Sequence, residues 1–230
     1  MDIALRGLLC SNDDADVLRF WGWRDVVAPM DIQAALDGAG GEAVTLVVNS
    51  TGGSMPVGVE IYSMLRRYPG PTEALIQGMG ASAATLAACG CGRVVAEAGA
   101  LLCYHNPSLS TDEDYRGHEK TAVELRNVRD ACLNVYMTRT GKTREEVAAL
   151  MDQDLLISPQ QALEYGLIDE VAGLPGLEPE PVQFVAAAGV YPRVTAQMRQ
   201  GYQDHAAAEA AAREEAAKRA LARARALANY

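Results

Sequence analysis

Twice in this chain a strand-like run ends abruptly in a glycine-rich turn and gives way at once to helical spacing. Val44-Thr45-Leu46-Val47-Val48 is a β-branched apolar run, the pattern of a buried strand. Asn49-Ser50-Thr51-Gly52-Gly53-Ser54 interrupts it, and residues 55–67 then read as a helix with Val59, Tyr62, Ser63 and Leu65 toward the core. The order recurs in residues 71–77 as strand, Gly78-Met79-Gly80-Ala81 as tight turn, and 82–89 as a helix of small residues that Gly90-Cys91-Gly92 ends. Alternation of this kind predicts an α/β architecture. Around it the sequence predicts a strand at 3–9, a turn or capping cluster at Ser11-Asn12-Asp13-Asp14, a helix at 29–36, and strands at 93–96 and 100–104. A long polar helix follows over 111–140, broken by Gly141; Thr143 and Glu146 form a capping box for the next helix. Ser158-Pro159 opens a short helix that ends at Gly166, with Leu167-Ile168 as a strand or turn.

The 230 residues, half of them apolar, suffice for a sizeable core. A net charge of −10 argues against a general nucleic-acid or anionic-membrane surface, since both select for Lys and Arg. The N-terminus shows no basic stretch leading into an apolar run, and nothing approaches the ~20 apolar residues of a membrane span, so a soluble cytoplasmic protein is expected. The five cysteines are odd in number and irregular in spacing, unlike a disulfide framework. Cys89 and Cys91 lack a second ligand pair nearby and read as buried thiols rather than a metal site. Residues 174–181, rich in Pro, Gly and Glu, look like a domain end, giving a domain over 1–174, a linker over 175–204 and an Ala-rich helical tail over 205–230. Glu214/Lys218 and Glu215/Arg219 support that helix at i,i+4 spacing.

Three places could carry chemistry. Ser82 follows a glycine turn and opens a helix, where backbone N–H groups are unpaired, so it could be an exposed nucleophile or a plain N-cap. Gly78-Met79-Gly80-Ala81-Ser82 is not the G-x-S-x-G elbow of the α/β-hydrolases. His105 leaves the end of an apolar strand, whereas His118 lies among charges in the long helix and His205 in the tail; a histidine base would be His105. The Gly52-Gly53 turn could aim amides at a developing negative charge, and no phosphate-loop pattern offers the rival use.

Glycine turn, serine, histidine and aspartate come in the order of the Clp protease proteolytic subunit family, which this chain resembles over residues 44–172. Val47-Val48-Asn49-Ser50-Thr51-Gly52-Gly53 and the helix with Val59-Glu60-Ile61-Tyr62-Ser63-Met64-Leu65 resemble the family's oxyanion-hole strand, turn and helix. Gly78-Met79-Gly80-Ala81-Ser82-Ala83-Ala84 resembles the nucleophile turn, and Leu102-Cys103-Tyr104-His105-Asn106-Pro107 the histidine strand. Asp152-Gln153-Asp154, with the segment from Ser158 to Asp169, resembles the acidic and C-terminal signature. The resemblance implies a Clp/crotonase fold of repeated β-β-α units with a long projecting helix. It puts the nucleophile on Ser82, the base on His105 and the orienting carboxylate on Asp154, with Asp152 a near competitor. The oxyanion donors fall on the backbone N–H groups of Gly52 and Ala83, and no metal or cofactor is implied.

A narrower likeness is to the Clp-related head maturation proteases of tailed phages and prophages. It rests on Gly7-Leu8-Leu9-Cys10-Ser11-Asn12-Asp13-Asp14, Phe20-Trp21-Gly22-Trp23, Pro29-Met30-Asp31-Ile32 and Asp114-Tyr115-Arg116-Gly117-His118. It implies a capsid or scaffold precursor as substrate and a ring-forming homo-oligomer. The N-terminal segment differs from the axial-loop region by which the family meets an unfoldase, which sets dependence on an ATP-driven partner in doubt. Rival readings are an acyl-CoA enzyme of the crotonase relatives, disfavoured by the ordered triad, an inactive Clp-like assembly or scaffold-binding protein, and a general intracellular Clp-like peptidase.

Overall fold

The computed structural model describes residues 1–173 and 193–227. They divide into two units, one of Met1–Ala15 with the stretch that opens at Asp25, the other of Asp16–Arg24 with the stretch from 193 onward. In chain order the elements are β1 (Asp2–Leu9), α1 (Asn12–Phe20), β2 (Val26–Val27), α2 (Pro29–Ala39), β3 (Val44–Gly53), α3 (Met55–Arg67), β4 (Thr72–Ala81) and α4 (Ala83–Ala88). Then come β5 (Arg93–Glu97), β6 (Leu101–Cys103), α5 (Tyr115–Thr140), α6 (Arg144–Gln153), β7 (Leu156–Ile157), α7 (Pro159–Tyr165), β8 (Glu170–Ala172) and α8 (Ala196–Leu227).

In the first unit the sheet runs β2-β1-β3-β4-β5-β8, every neighbour parallel. This is the α/β fold expected from the alternation. β5 pairs with the first half of β4 and β6 with its end, so β4 serves two partners in succession. β7 then adds to β6 antiparallel. Val44, Leu46 and Val48 of β3 are buried at alternate positions, as the pleat requires. All six residues of α4 are buried, which a helix of Ala, Thr and Leu tolerates because nothing on it is bulky or charged. α3 lies close against it because Gly58 has no side chain: a Cβ there would sit 2.5 Å from the Ala83 carbonyl oxygen.

β3 and β4 are longer than their apolar runs. The glycine-rich stretches expected as turns stay in the sheet, with Gly52 opposite Leu8, Gly53 opposite Leu9 and Gly80 opposite Leu102. A register shift between Val48 and Ser50 absorbs the irregularity. Ser11 caps α1, its Oγ accepting from the Asp14 N–H at 3.2 Å. α5 begins at Tyr115 rather than 111, because Asp114 accepts from the amides of Arg116 and Gly117 at 3.0 and 3.1 Å. Leu167 closes the end of α7 by bonding back to the Ala162 carbonyl, so the last strand forms at Glu170–Ala172 instead of 167–168. β2 and β7, two residues each, are too short to leave a periodic signal.

α5 is buried only toward its end, at Cys132, Leu133, Val135 and Tyr136; its first half is mostly exposed, as a helix projecting from the core must be. Arg139 ties that end to the sheet, pairing with Asp169 while Asp169 accepts from the Val94 N–H.

In the second unit the start of α8 is held by aromatic side chains. Trp21 Nε1 donates to the Met198 carbonyl at 3.1 Å, and the Phe20 ring lies 5.6 Å from Tyr202 and 4.9 Å from His205. α8 begins at Ala196, inside the stretch expected as linker; residues 174–192 of that stretch and 228–230 of the tail lie outside the described residues.

Candidate active site

Register brings the candidate residues together. β4 and β6 end on the pair Ala81↔Cys103, and the Ser82 N–H donates to the Cys103 carbonyl at 2.9 Å. Ser82 therefore leaves β4 beside the strand that carries His105 two residues on. β6 and β7 run antiparallel with Cys103↔Leu156 as the pair nearest the site. Continuing that register outward sets His105 opposite Asp154. Their side chains meet there, with His105 Nδ1 3.8 Å from Asp154 Oδ1. Asp152 does not face the imidazole: its carboxylate is held by Arg129 and Asn106, both at 2.8 Å. Of the two acidic candidates, geometry pairs Asp154 with the histidine.

Ser82 occupies an unusual backbone conformation, φ 57 and ψ −131. Side chains with a Cβ avoid positive φ, and such strain persists only where the surroundings impose it. It stands at the N-cap position of α4, yet its side chain makes no capping bond. The Thr85 hydroxyl takes the Ser82 carbonyl instead, at 2.6 Å, and receives a hydrogen bond from the Tyr136 hydroxyl at 2.7 Å. Thr85 has one proton and a carbonyl can only accept, so Tyr136 is the donor in the second contact. Thus Ser82 is held by its main chain while its Oγ is left out of the capping. Among the described residues, Ser82 Oγ and the imidazole are not hydrogen-bonded to each other.

Gly52 adjoins this turn. With φ 94, a Cβ on it would lie 2.6 Å from Ser82 Cβ and 2.8 Å from the Ala83 nitrogen. The Ala83 nitrogen thus lies against a spot that only a glycine leaves open. The amide of Gly52 itself is engaged: it donates to Ser50 Oγ at 3.0 Å, and Ser50 donates in turn to the Gly7 carbonyl at 2.5 Å. The amide expected as an oxyanion donor thus has Ser50 Oγ as its partner. Ser50, 2% exposed, had no signal in the sequence beyond lying in the turn.

Burial shapes the surroundings. The Cys103 thiol is pushed up to about 11, first by burial and then by the Asp154 charge. Burial also raises the Tyr104 and Tyr136 phenols, whose rings meet edge-on at 5.2 Å behind the site. Cys89 and Cys91, the pair weighed as metal ligands, are buried thiols pushed up to about 12 by desolvation. Among the described residues, no group of three or more His, Cys, Asp and Glu side chains could hold a metal ion, and no helix is long and apolar enough to cross a membrane.

The family model described as Clp protease matches residues 32–174, well over half of the chain. The chain belongs to the Clp protease family. That is a family of serine peptidases. A putative ATP-dependent Clp protease proteolytic subunit-like protein of Streptomyces coelicolor is 35% identical over 144 residues, covering 60% of this chain and 66% of the relative. The ATP-dependent Clp protease proteolytic subunit 1 of Chlamydia muridarum is 29% identical over 140 residues, covering 57% of this chain and 70% of that one. Among solved structures, a ClpP1 mutant from Listeria monocytogenes superposes with a TM-score of 0.60 at 18% identity, over 74% of this chain and 90% of that one, which establishes the fold.

Proposed function

We propose that this Clp-family chain is a serine endopeptidase in which Ser82 attacks the scissile carbonyl, His105 takes its proton, and Asp154 orients and stabilises the imidazole. One observation carries the reading: a strained Ser82 and the His105–Asp154 pair lie at the ends of adjoining strands. The Ser82 proton passes to His105 Nε2, the Nδ1–H faces Asp154, and the imidazolium then protonates the leaving amine; water repeats the cycle on the acyl-enzyme. The 3.8 Å between Nδ1 and Oδ1 exceeds a hydrogen bond and has to close by roughly 1 Å in the working state. The Ala83 amide is one oxyanion donor. For the second we assign Gly53, the next amide in the turn, since that of Gly52 is held by Ser50.

The substrate reading is a capsid or scaffold precursor, supported by the four sequence segments that resemble phage head maturation proteases. A ring-forming homo-oligomer is supported by the exposed first half of α5, which carries Tyr115 and Val123 outward. A cytoplasmic location accords with family membership.

A fluorophosphonate probe tests the chemistry. Labelling of the wild type and its loss in Ser82→Ala are expected, while Asp154→Asn should slow labelling by about 100-fold or more with folding unchanged. Labelling that survives Ser82→Ala points to another nucleophile; an unlabelled wild type favours the inactive assembly protein. Incubation with a capsid or scaffold precursor, read for Ser82-dependent cleavage, tests the substrate.

A further inference from the structure

His105 and Asp154 both lie beyond the last ladder pair, Cys103↔Leu156, so the sheet itself does not hold them together. Three side chains just outside them bond to one another. Arg129 of α5 donates through Nε to Asn106 Oδ1 at 2.7 Å and through Nη2 to Asp152 Oδ1 at 2.8 Å. Asn106 Nδ2 donates to the same Asp152 oxygen at 2.8 Å, closing a ring of three. Asn106 is the residue after His105, and Asp152 lies two residues before Asp154. The ring therefore joins the strand exit that carries the base to the end of α6 that carries the orienting carboxylate, with α5 as the brace.

We propose that Arg129 is a positioning residue that sets the separation of His105 and Asp154 by clamping Asn106 and Asp152. Its consequence for catalysis rests on the peptidase reading above; its consequence for the imidazole does not. The chemistry selects arginine. Two donors of one planar fork reach two acceptors at once, which a lysine ammonium on a flexible stem does not reproduce. Asn106 fits because it must accept from Arg129 and donate to Asp152 simultaneously, and an amide does both. The pair contributes little stability: the Arg129 side chain is 31% exposed and that of Asp152 57%, a range where solvent screening leaves an ion pair nearly neutral to folding. The ring is thus poorly suited to a purely structural role, and Arg129→Ala is expected to fold.

The test uses the full chain carrying Arg129→Ala, Arg129→Lys or Asp152→Asn. In histidine-selective NMR spectra of Arg129→Ala, the His105 ring resonances should move while those of His118 and His205 stay in place. Fluorophosphonate labelling of Ser82 should slow roughly 10- to 100-fold, the range expected when a catalytic group is displaced by about 1 Å. Methylguanidine should restore much of the rate. Arg129→Lys should remain slow, which separates the fork from the charge, and Asp152→Asn should be a milder form of the same defect. His105 resonances and labelling rates matching the wild type in Arg129→Ala would overturn the proposal. If the wild type itself is not labelled, the peptidase reading fails and the His105 resonances alone decide whether Arg129 positions the imidazole.

Discussion

Ser82 carries a cost that its neighbours would not accept without a reason. A positive φ on a residue with a Cβ disfavours the folded chain by roughly 1–3 kcal/mol, and a glycine at the same place would not bear it. Ser82→Gly should therefore be more stable than Ser82→Ala by about 1 kcal/mol, although both remove the hydroxyl. Urea midpoints of the two variants check this; equal midpoints would mean that the turn relaxes when the serine is lost. Asp154 has a positive φ as well, 49°, at the end of α6. Asp and Asn both tolerate this left-handed geometry, so Asp154→Asn isolates the charge from the backbone. Ser82 and His105 stand out in the sequence as candidates by residue type and position, whereas Asp154 comes from the family resemblance with Asp152 as its competitor. Ser50 and Arg129 were not legible there, because their partners, Gly7 and Gly52 for one and Asn106 and Asp152 for the other, become neighbours only when separate elements meet.

Between elements, the Ser82 turn is braced from α5. Tyr136 reaches through Thr85 to the Ser82 carbonyl, and all three residues are buried. Tyr136→Phe removes one donor but leaves Thr85 bonded to the carbonyl, so the loss should be about 1 kcal/mol. Thr85→Val is worse, since it strands the phenol, while the Ser82 carbonyl keeps the backbone N–H of residue 85; a loss of roughly 1–3 kcal/mol is expected from one unsatisfied buried group. Thermal and denaturant unfolding would show the order, and a milder Thr85→Val would mean that the chain reconnects the phenol. Strand and helix positions in the core followed from periodicity, but the extension of β3 and β4 through glycine did not. Glycine lacks a strand preference of its own, and here close backbone approach, at Gly52 against Ser82 and Ala83, keeps it in the sheet.

Over the whole molecule, all five cysteines are free and buried, and this makes stability depend on pH in the alkaline range. Cys89 and Cys91 have folded values near 12 against an ordinary 9.0, because burial penalises the thiolate. Their folded pKa is raised, so the associated stability is complete below about pH 9 and declines as pH rises toward 12, where the unfolded chain releases protons that the native chain retains. Each thiol can remove up to about 1.4 kcal/mol per pH unit in that window. Guanidinium midpoints should fall between about pH 9 and 10, before the phenols take part, and the fall should flatten in a Cys89→Ala, Cys91→Ala double variant. An unchanged slope would assign the loss to other groups.

The sequence by itself determined the alternation of strand and helix, the family, and the three residue types that acid–base and nucleophilic chemistry need, because periodicity and side-chain chemistry are local properties. Tertiary structure alone decided that Asp154 rather than Asp152 lies beside the imidazole, that Gly52's amide is already bonded, and that Arg129 bonds both Asn106 and Asp152. Those outcomes depend on strand register and on distances between residues far apart in the chain, where a shift of one residue along a strand turns a side chain to the opposite face.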